Sequence, residues 1–152
     1  YRNKSISSMS IPIRKERLPV LVLVTIYYFM TYYIFRYWNT TLLNLFYPYL
    51  SFLFAGLVLI VSLTAITYFW KISLHSSSIS ALCGGMMAET LIAHPVGGQE
   101  QAFYINMALL VFLGLVSFSR LYLKAHTISQ TIAGIALGFS LAFSLVFFQI
   151  YI

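Results

Sequence analysis

Four polar residues lie close together in the sequence, directly before a long apolar run. Arg120, Lys124, His126 and Gln130 precede the run 131–152. His126 and Gln130 are four residues apart, so they share one face of a helix. The six residues from Arg120 to His126 suit a short connection that holds a cation near an imidazole. Because polar groups at the mouth of a membrane helix are costly and usually functional, this pattern points to phosphate chemistry, with arginine as an anion clamp and histidine as nucleophile or acid/base.

The same residues also have a purely structural interpretation. Arginine and lysine flank many membrane helices as topology signals. A histidine at a helix start is often only a polar cap. The rest of the chain has to decide between these alternatives.

Composition makes the chain an integral membrane protein. Of its 152 residues, 61% are hydrophobic and 8% are charged, whereas soluble domains carry about 25% charged residues. We therefore expect an all-α fold, a helical bundle of five transmembrane helices. The predicted spans are 19–38, 41–70, 76–93, 102–118 and 127–152, behind a basic juxtamembrane segment, 1–18.

The scarcity of acidic residues limits the chemistry. The sequence has no Asp, and its three carboxylates are Glu16, Glu89 and Glu100. This argues against paired-carboxylate catalysis and against a carboxylate-rich metal site. The single cysteine, Cys83, has no partner for an internal disulfide or a thiolate metal site. We predict no metal and no cofactor.

Local signals give further detail about the predicted helices. Pro19 suits the first turn of a helix, and Pro48 is expected to kink the long second helix. Gly134 and Gly138 have the GxxxG spacing of closely packed membrane helices. Because the chain begins at Tyr1 rather than Met, we expect that upstream sequence is missing.

Threading five spans through a membrane puts the basic residues on one side. The N-terminal segment and the connections around 71–75 and 120–126 share a face that holds eight Lys/Arg. The other face has only Arg36, together with the connection 94–100 that contains His94. The positive-inside rule makes the first face cytoplasmic. We interpret this charge as a topology and anion-binding feature, so we expect a lipid bilayer and no nucleic acid as partner.

These motifs resemble the type 2 phosphatidic acid phosphatase superfamily, with its KxxxxxxRP, PSGH and SRxxxxxHxxxD patterns. Ser119-Arg120, His126 and Gln130 follow the third pattern, and Ser73-Leu-His75 resembles the second. Arg17-Leu-Pro19 resembles the end of the first, with one extra residue. From about Met9 onward, the chain resembles small members of the family from Bacteroidetes-type bacteria.

The resemblance implies a role for each matching residue. His126 would be the nucleophile that forms a phosphohistidine, and His75 the general acid. Arg120, Ser73 and Arg17 would bind the phosphate. Lys71 lies outside the strict pattern but is placed to supply a further cation. The implied function is a metal-independent phosphatase of a membrane lipid's phosphomonoester or pyrophosphate.

Gln130 departs from the family pattern, which has Asp there. A carboxamide can still orient the nucleophilic imidazole but carries no charge to stabilise its cation. A catalytically degenerate member that binds lipid phosphate or a protein partner is therefore the second hypothesis. A small transporter with Glu89 as its proton site is the third. The family is associated with the periplasmic face of the inner membrane, which opposes the charge count.

Overall fold

Helices alone form the described part of the protein. A computed structural model describes residues 14–37, 50–92 and 99–150. In these ranges there is no strand, and the helices are α1 (Arg14–Tyr37), α2 (Leu50–Phe69), α3 (Leu74–Ile92), α4 (Gln99–Tyr122) and α5 (Ile128–Phe147). The prediction of an all-α fold is confirmed.

Four of these helices are long and apolar enough to cross a membrane. The four segments are Leu18–Tyr37, Leu50–Phe69, Glu100–Tyr122 and Ile128–Phe147. The protein is therefore consistent with a multi-pass membrane protein, as predicted. Helix α3 does not meet the same criterion of length and hydropathy. Its four serines within the first seven residues lower its hydropathy.

Several predicted helix limits were wrong. Helix α1 begins at Arg14, so Pro19 lies inside it, because Arg, Lys and Glu are good helix formers and extend the helix beyond its apolar part. Helix α4 continues through Arg120, which the sequence had placed in a connection. Helix α5 ends at Phe147 rather than at residue 152. The predicted stretch 41–49, with its Pro48 kink, lies outside the described residues.

Neighbouring helices along the chain run antiparallel. The Tyr32 and Phe54 rings lie 5.5 Å apart, and Tyr28 faces Gly56, so the residue numbers of α1 rise as those of α2 fall. Asn106, near the start of α4, donates a hydrogen bond to Thr90, near the end of α3. This alternation collects the start of α1, the α2–α3 connection and the α4–α5 connection at one end of the bundle. We call it the polar end; its described polar residues include Lys71, Ser73, His75, Arg120, Lys124 and His126.

Helix α3 packs most closely against α5. A Cβ atom added to Gly138 of α5 would overlap the Ser77 carbonyl and the Ser80 hydroxyl of α3. One added to Gly134 would lie 2.8 Å from Ser77 Oγ. The GxxxG pair therefore does lie in a helix contact, where the absence of side chains lets two backbones approach closely.

The connection between α4 and α5 is a tight helix cap. Lys124 has a left-handed φ of 52°. Its N–H donates to the Leu121 carbonyl at 2.9 Å, and the Ala125 N–H donates to the Arg120 carbonyl at 3.0 Å. These two bonds form a Schellman motif, which usually has glycine in the left-handed position. The cap turns the chain sharply, so that His126 follows Arg120 after a single compact turn.

Candidate functional site

The starts of α3 and α5 are joined through Ser73 and Gln130. The Ser73 N–H donates to the Gln130 carbonyl at 3.4 Å. Ser73 directly precedes α3 and is fully buried, and its hydroxyl accepts the Ser76 N–H at 3.5 Å, as an N-cap residue does. Two helix N-termini therefore lie side by side. The dipoles of two helix starts favour a bound anion.

A capping box at the start of α5 positions His126. Thr127 is the N-cap residue, and its hydroxyl accepts the Gln130 N–H at 3.4 Å. In return, Gln130 Oε1 accepts the Thr127 N–H at 3.2 Å. The same Oε1 atom lies 3.2 Å from His126 Nδ1. One carboxamide oxygen thus serves both the helix cap and the imidazole.

This arrangement selects the tautomer of His126. A backbone N–H can only donate, so the carboxamide atom facing Thr127 must be the oxygen of Gln130. His126 Nδ1 then faces an acceptor and, in the neutral ring, carries the proton. The lone pair of the neutral imidazole therefore belongs to Nε2. A nucleophilic histidine needs this tautomer if it is to attack through Nε2.

His75 and Arg120 line one cavity between α3 and α4. The cavity has a volume of about 370 Å³, and its remaining wall consists of Leu74, Ser78, Ile79, Phe112 and Val116. The Arg120 Nε atom is buried and has no hydrogen-bond partner among the described residues. The positive charge of the Arg120 guanidinium makes this wall of the cavity suited to an anion.

Two buried serines connect this cavity to the helix starts. Ser117 Oγ lies one turn before Arg120 and donates to Ser76 Oγ at 3.4 Å. Ser76 Oγ also accepts the Ser73 hydroxyl at 2.9 Å. All three serines are at most 9% exposed. The chain of hydroxyls fixes α4, and with it the backbone of Arg120, relative to the start of α3.

The two remaining predicted phosphate ligands, Lys71 and Arg17, belong to segments at the polar end. Lys71 lies in the α2–α3 connection, two residues before Ser73, and is half-buried. Arg17 lies in the first turn of α1, which the antiparallel pairing with α2 brings to the polar end. Glu89, the alternative proton site, is half-buried in α3 toward the opposite end.

The predicted residues therefore form two groups at one end of the bundle. His126 pairs with Gln130, whereas His75 shares its cavity with Arg120, and His126 does not line that cavity. Ser73 touches Gln130 through its N–H and leads toward Arg120 through the serine chain. Within the described ranges, no three His, Cys, Asp or Glu side chains gather as a metal site would require.

Sequence reasoning missed three residues that support the site, namely Thr127, Ser76 and Ser117. Thr127 and Gln130 have the spacing of a capping box, T-x-x-Q, which is readable from sequence. Ser76 and Ser117 are 41 positions apart, and no local pattern indicates that they meet.

Comparisons with protein-family models, with curated proteins and with solved structures gave no match for this chain.

Proposed function

We propose that this protein is a membrane-embedded, metal-independent phosphatase of the type 2 phosphatidic acid phosphatase superfamily. Its substrate would be a membrane lipid that carries a phosphomonoester or pyrophosphate. The observation that carries the proposal is the single Gln130 oxygen that accepts the Thr127 N–H and faces His126 Nδ1. This bond directs the lone pair of the neutral His126 ring to Nε2, the atom that a phosphohistidine mechanism uses.

Phosphoryl transfer needs positioning and neutralisation of charge more than it needs covalent chemistry from the protein. The polar end offers the guanidinium of Arg120, which lines the cavity beside His75, and two neighbouring helix starts. Lys71, and Arg17 in the first turn of α1, would add positive charge. These groups suit a phosphate that spans the His75–Arg120 cavity and the start of α5.

The proposed reaction has two steps. His126 Nε2 attacks phosphorus, and the P–O bond to the leaving group breaks; this group is the lipid alcohol of a phosphomonoester or the lipid phosphate of a pyrophosphate. Protonated His75 gives its proton to the leaving oxygen. Water then attacks the phosphohistidine while neutral His75 takes up its proton, the P–N bond breaks, and inorganic phosphate leaves. Both histidines return to their starting state, and no metal takes part.

The setting suits a lipid substrate. Exposed aromatic and aliphatic side chains lie at the polar end: Tyr68, Phe69 and Trp70 at the end of α2, and Phe118, Tyr122 and Leu123 at the end of α4. Tyrosine and tryptophan concentrate at membrane–water interfaces. A phosphate at headgroup depth could therefore reach the cavity by lateral diffusion.

We further propose that α3 is a fifth membrane span. Its 19 residues extend about 28 Å at 1.5 Å per residue, close to the thickness of the hydrocarbon core. Its serines are mostly buried against α4 and α5. A helix whose serines are shielded in this way can be more polar than a helix that exposes most of its surface to lipid.

A catalytically degenerate member of the same superfamily is the second candidate. The neutral carboxamide of Gln130 favours it, because an orienting group without charge cannot stabilise the imidazolium that forms during attack. Such a protein would bind lipid phosphate, or a protein partner, without turnover.

Phosphate release from a panel of lipid phosphates tests the enzyme proposal. The purified protein in detergent is compared with His126→Ala, and with His94→Ala as a histidine control from the connection between α3 and α4. We expect release by the wild type and by His94→Ala, and loss of release in His126→Ala.

The outcomes separate the two candidates. Release that persists in His126→Ala rules out the phosphohistidine mechanism. A wild-type protein that binds lipid phosphate but is silent on every substrate supports the degenerate candidate. A wild-type protein that neither turns over nor binds lipid phosphate would rule out the phosphatase and leave only a degenerate member that binds a protein partner.

A further inference from the structure

A second cavity lies in the half of the bundle opposite the polar end, between α3, α4 and α5. Its volume is about 470 Å³, within the range of small-molecule sites. Its apolar wall consists of Cys83, Met87, Leu91, Phe103, Met107, Leu110 and Phe139. Two polar side chains complete it, Thr90 and Asn106. No residue of its lining is charged.

Helix packing explains why this space exists. Gly84 of α3 meets the backbone of Phe139 so closely that no Cβ atom would fit, which draws α5 onto α3. Helix α4 is held to α3 by polar bonds instead, one at Ser117 and one at Asn106. The side chains between the two polar contacts leave the cavity unfilled, with Phe139 of α5 as one of its walls.

The orientation of the Asn106 carboxamide is fixed by its neighbours. Its nitrogen donates to the Ala102 carbonyl at 3.0 Å and to Thr90 Oγ1 at 2.9 Å. A carbonyl can only accept, so the atom facing Ala102 must be Nδ2. Thr90 donates its own proton to the Met86 carbonyl at 2.8 Å, which leaves its oxygen free to accept from Asn106.

Asn106 Oδ1 therefore remains as an acceptor that receives no hydrogen bond from the described residues. It belongs to a cavity-lining residue inside Glu100–Tyr122, an apolar segment long enough to span a membrane. Few water molecules reach such a depth, and an acceptor without a donor is unfavourable there. The cavity is thus complementary to a molecule with one hydrogen-bond donor and an otherwise apolar body.

We propose that this cavity binds a neutral lipid that carries a hydroxyl group, with the hydroxyl donating to Asn106 Oδ1. The uncharged lining disfavours an anionic headgroup, which separates this site from the phosphate site at the polar end. Such lipid alcohols are also what remains when a lipid phosphate loses its phosphate. The binding proposal itself does not depend on that reaction.

Photolabelling of the full chain in lipid nanodiscs tests the proposal. The probe is a long-chain alcohol with a diazirine in its tail, and labelled peptides are identified by mass spectrometry. Hexadecanol and its methyl ether, which lacks the donor, serve as competitors. We expect labelling of the peptides that contain Met87, Met107 or Leu110. Hexadecanol should compete at a concentration at least about tenfold lower than its ether.

Matched variants locate the contact. Leu110→Trp fills the cavity and should abolish the labelling, whereas Leu115→Trp, the same change at a position of the same helix that does not line the cavity, should not. Asn106→Leu should make alcohol and ether equal competitors. Equal competition in the wild type, or undiminished labelling in Leu110→Trp, would overturn the proposal. The wild-type comparison of the two competitors remains decisive if the Asn106 variant fails to fold.

Discussion

At the scale of single residues, Gln130 is the centre of the proposed site. Its side chain is long enough to reach back to the Thr127 N–H and to His126 together. An aspartate at the same position is one methylene shorter, and glutamate rather than aspartate completes a capping box. The departure from the family pattern is therefore coupled to the way in which this helix begins.

We expect Gln130→Glu to retain both bonds, and to match or exceed the wild-type rate because a carboxylate stabilises the imidazolium. Gln130→Leu removes the orienting oxygen and should lower kcat by about 10²- to 10⁴-fold, by analogy with other orienting groups. Phosphate release measures both variants.

Thr127→Ala separates the cap from the chemistry. It removes the hydroxyl that accepts the Gln130 N–H but keeps the backbone N–H that holds Oε1. We expect a loss of about 1 kcal/mol in the free energy of unfolding and a rate within a few-fold of wild type. If Thr127→Ala and Gln130→Leu lost rate equally, the cap would explain both.

Arg120 provides a second prediction at this scale. Arg120 lines the cavity that it shares with His75, so a phosphate bound there would gain a charge-assisted hydrogen bond from the guanidinium, worth about 1.5–3 kcal/mol. Arg120→Gln should therefore weaken inhibition by inorganic phosphate or vanadate at least about tenfold. Lys124→Gln, an exposed change four residues away, should alter it little. Similar losses in both variants would indicate general electrostatic attraction instead.

At the scale of the helices, the contact of α3 with α5 sets the position of the site. Ser73 meets Gln130 only because Gly134 and Gly138 let the two backbones approach. The Gly138→Val side chain would overlap Ser77 and Ser80, and we expect destabilisation of about 3 kcal/mol or more. Gly114→Val on α4 is the control, because no atom lies within 4 Å of a Cβ there. Thermal unfolding in detergent compares them, and equal stability of the two variants would contradict this packing.

The Schellman cap at Lys124 allows a gain in stability. A left-handed backbone costs a residue with a side chain about 1 kcal/mol, and glycine avoids this cost. Lys124→Gly should therefore raise the free energy of unfolding by up to about 1 kcal/mol, with Lys124→Val lowering it, since a β-branched residue tolerates φ near +50° poorly. Gln149, at φ 49° after α5, forms the same type of cap and should respond alike. A destabilised Lys124→Gly would show that the lysine side chain stabilises the turn.

The sequence predicts which segments are helical better than it predicts where the helices begin and end. The apolar runs identify α1, α2, α4 and α5, because each needs a lipid-facing surface. Arg120 was misplaced because a Schellman cap without glycine leaves no local signal. The cavity shared by His75 and Arg120, and the link from Ser76 to Ser117, depend on the packing of helices that are distant in sequence, so no spacing rule could have found them. The placement of the connections around 71–75 and 120–126 at one end of the bundle, by contrast, followed from counting alternating spans.

At the scale of the whole molecule, the polar end must face one side of a membrane. Arg36 lies at the other end of the bundle, whereas Lys71, Arg120 and Lys124 lie at the polar end. The positive-inside rule therefore predicts a cytoplasmic polar end, in conflict with the periplasmic site that the family resemblance implies. Substrate supply depends on this orientation, because the two leaflets present different lipid phosphates.

Two single cysteines can determine the orientation in a Cys83→Ala background. Lys124→Cys lies at the polar end and Glu100→Cys at the start of α4, and both positions are exposed. If α4 spans the membrane, an impermeant maleimide added to intact cells should label only one of them, because the segment between them is about 35 Å long at 1.5 Å per residue. The charge count predicts labelling of Glu100→Cys and protection of Lys124→Cys, with both labelled after permeabilisation. The reverse pattern would place the polar end outside the cell membrane, as the resemblance implies. Labelling of both positions in intact cells would contradict a spanning α4.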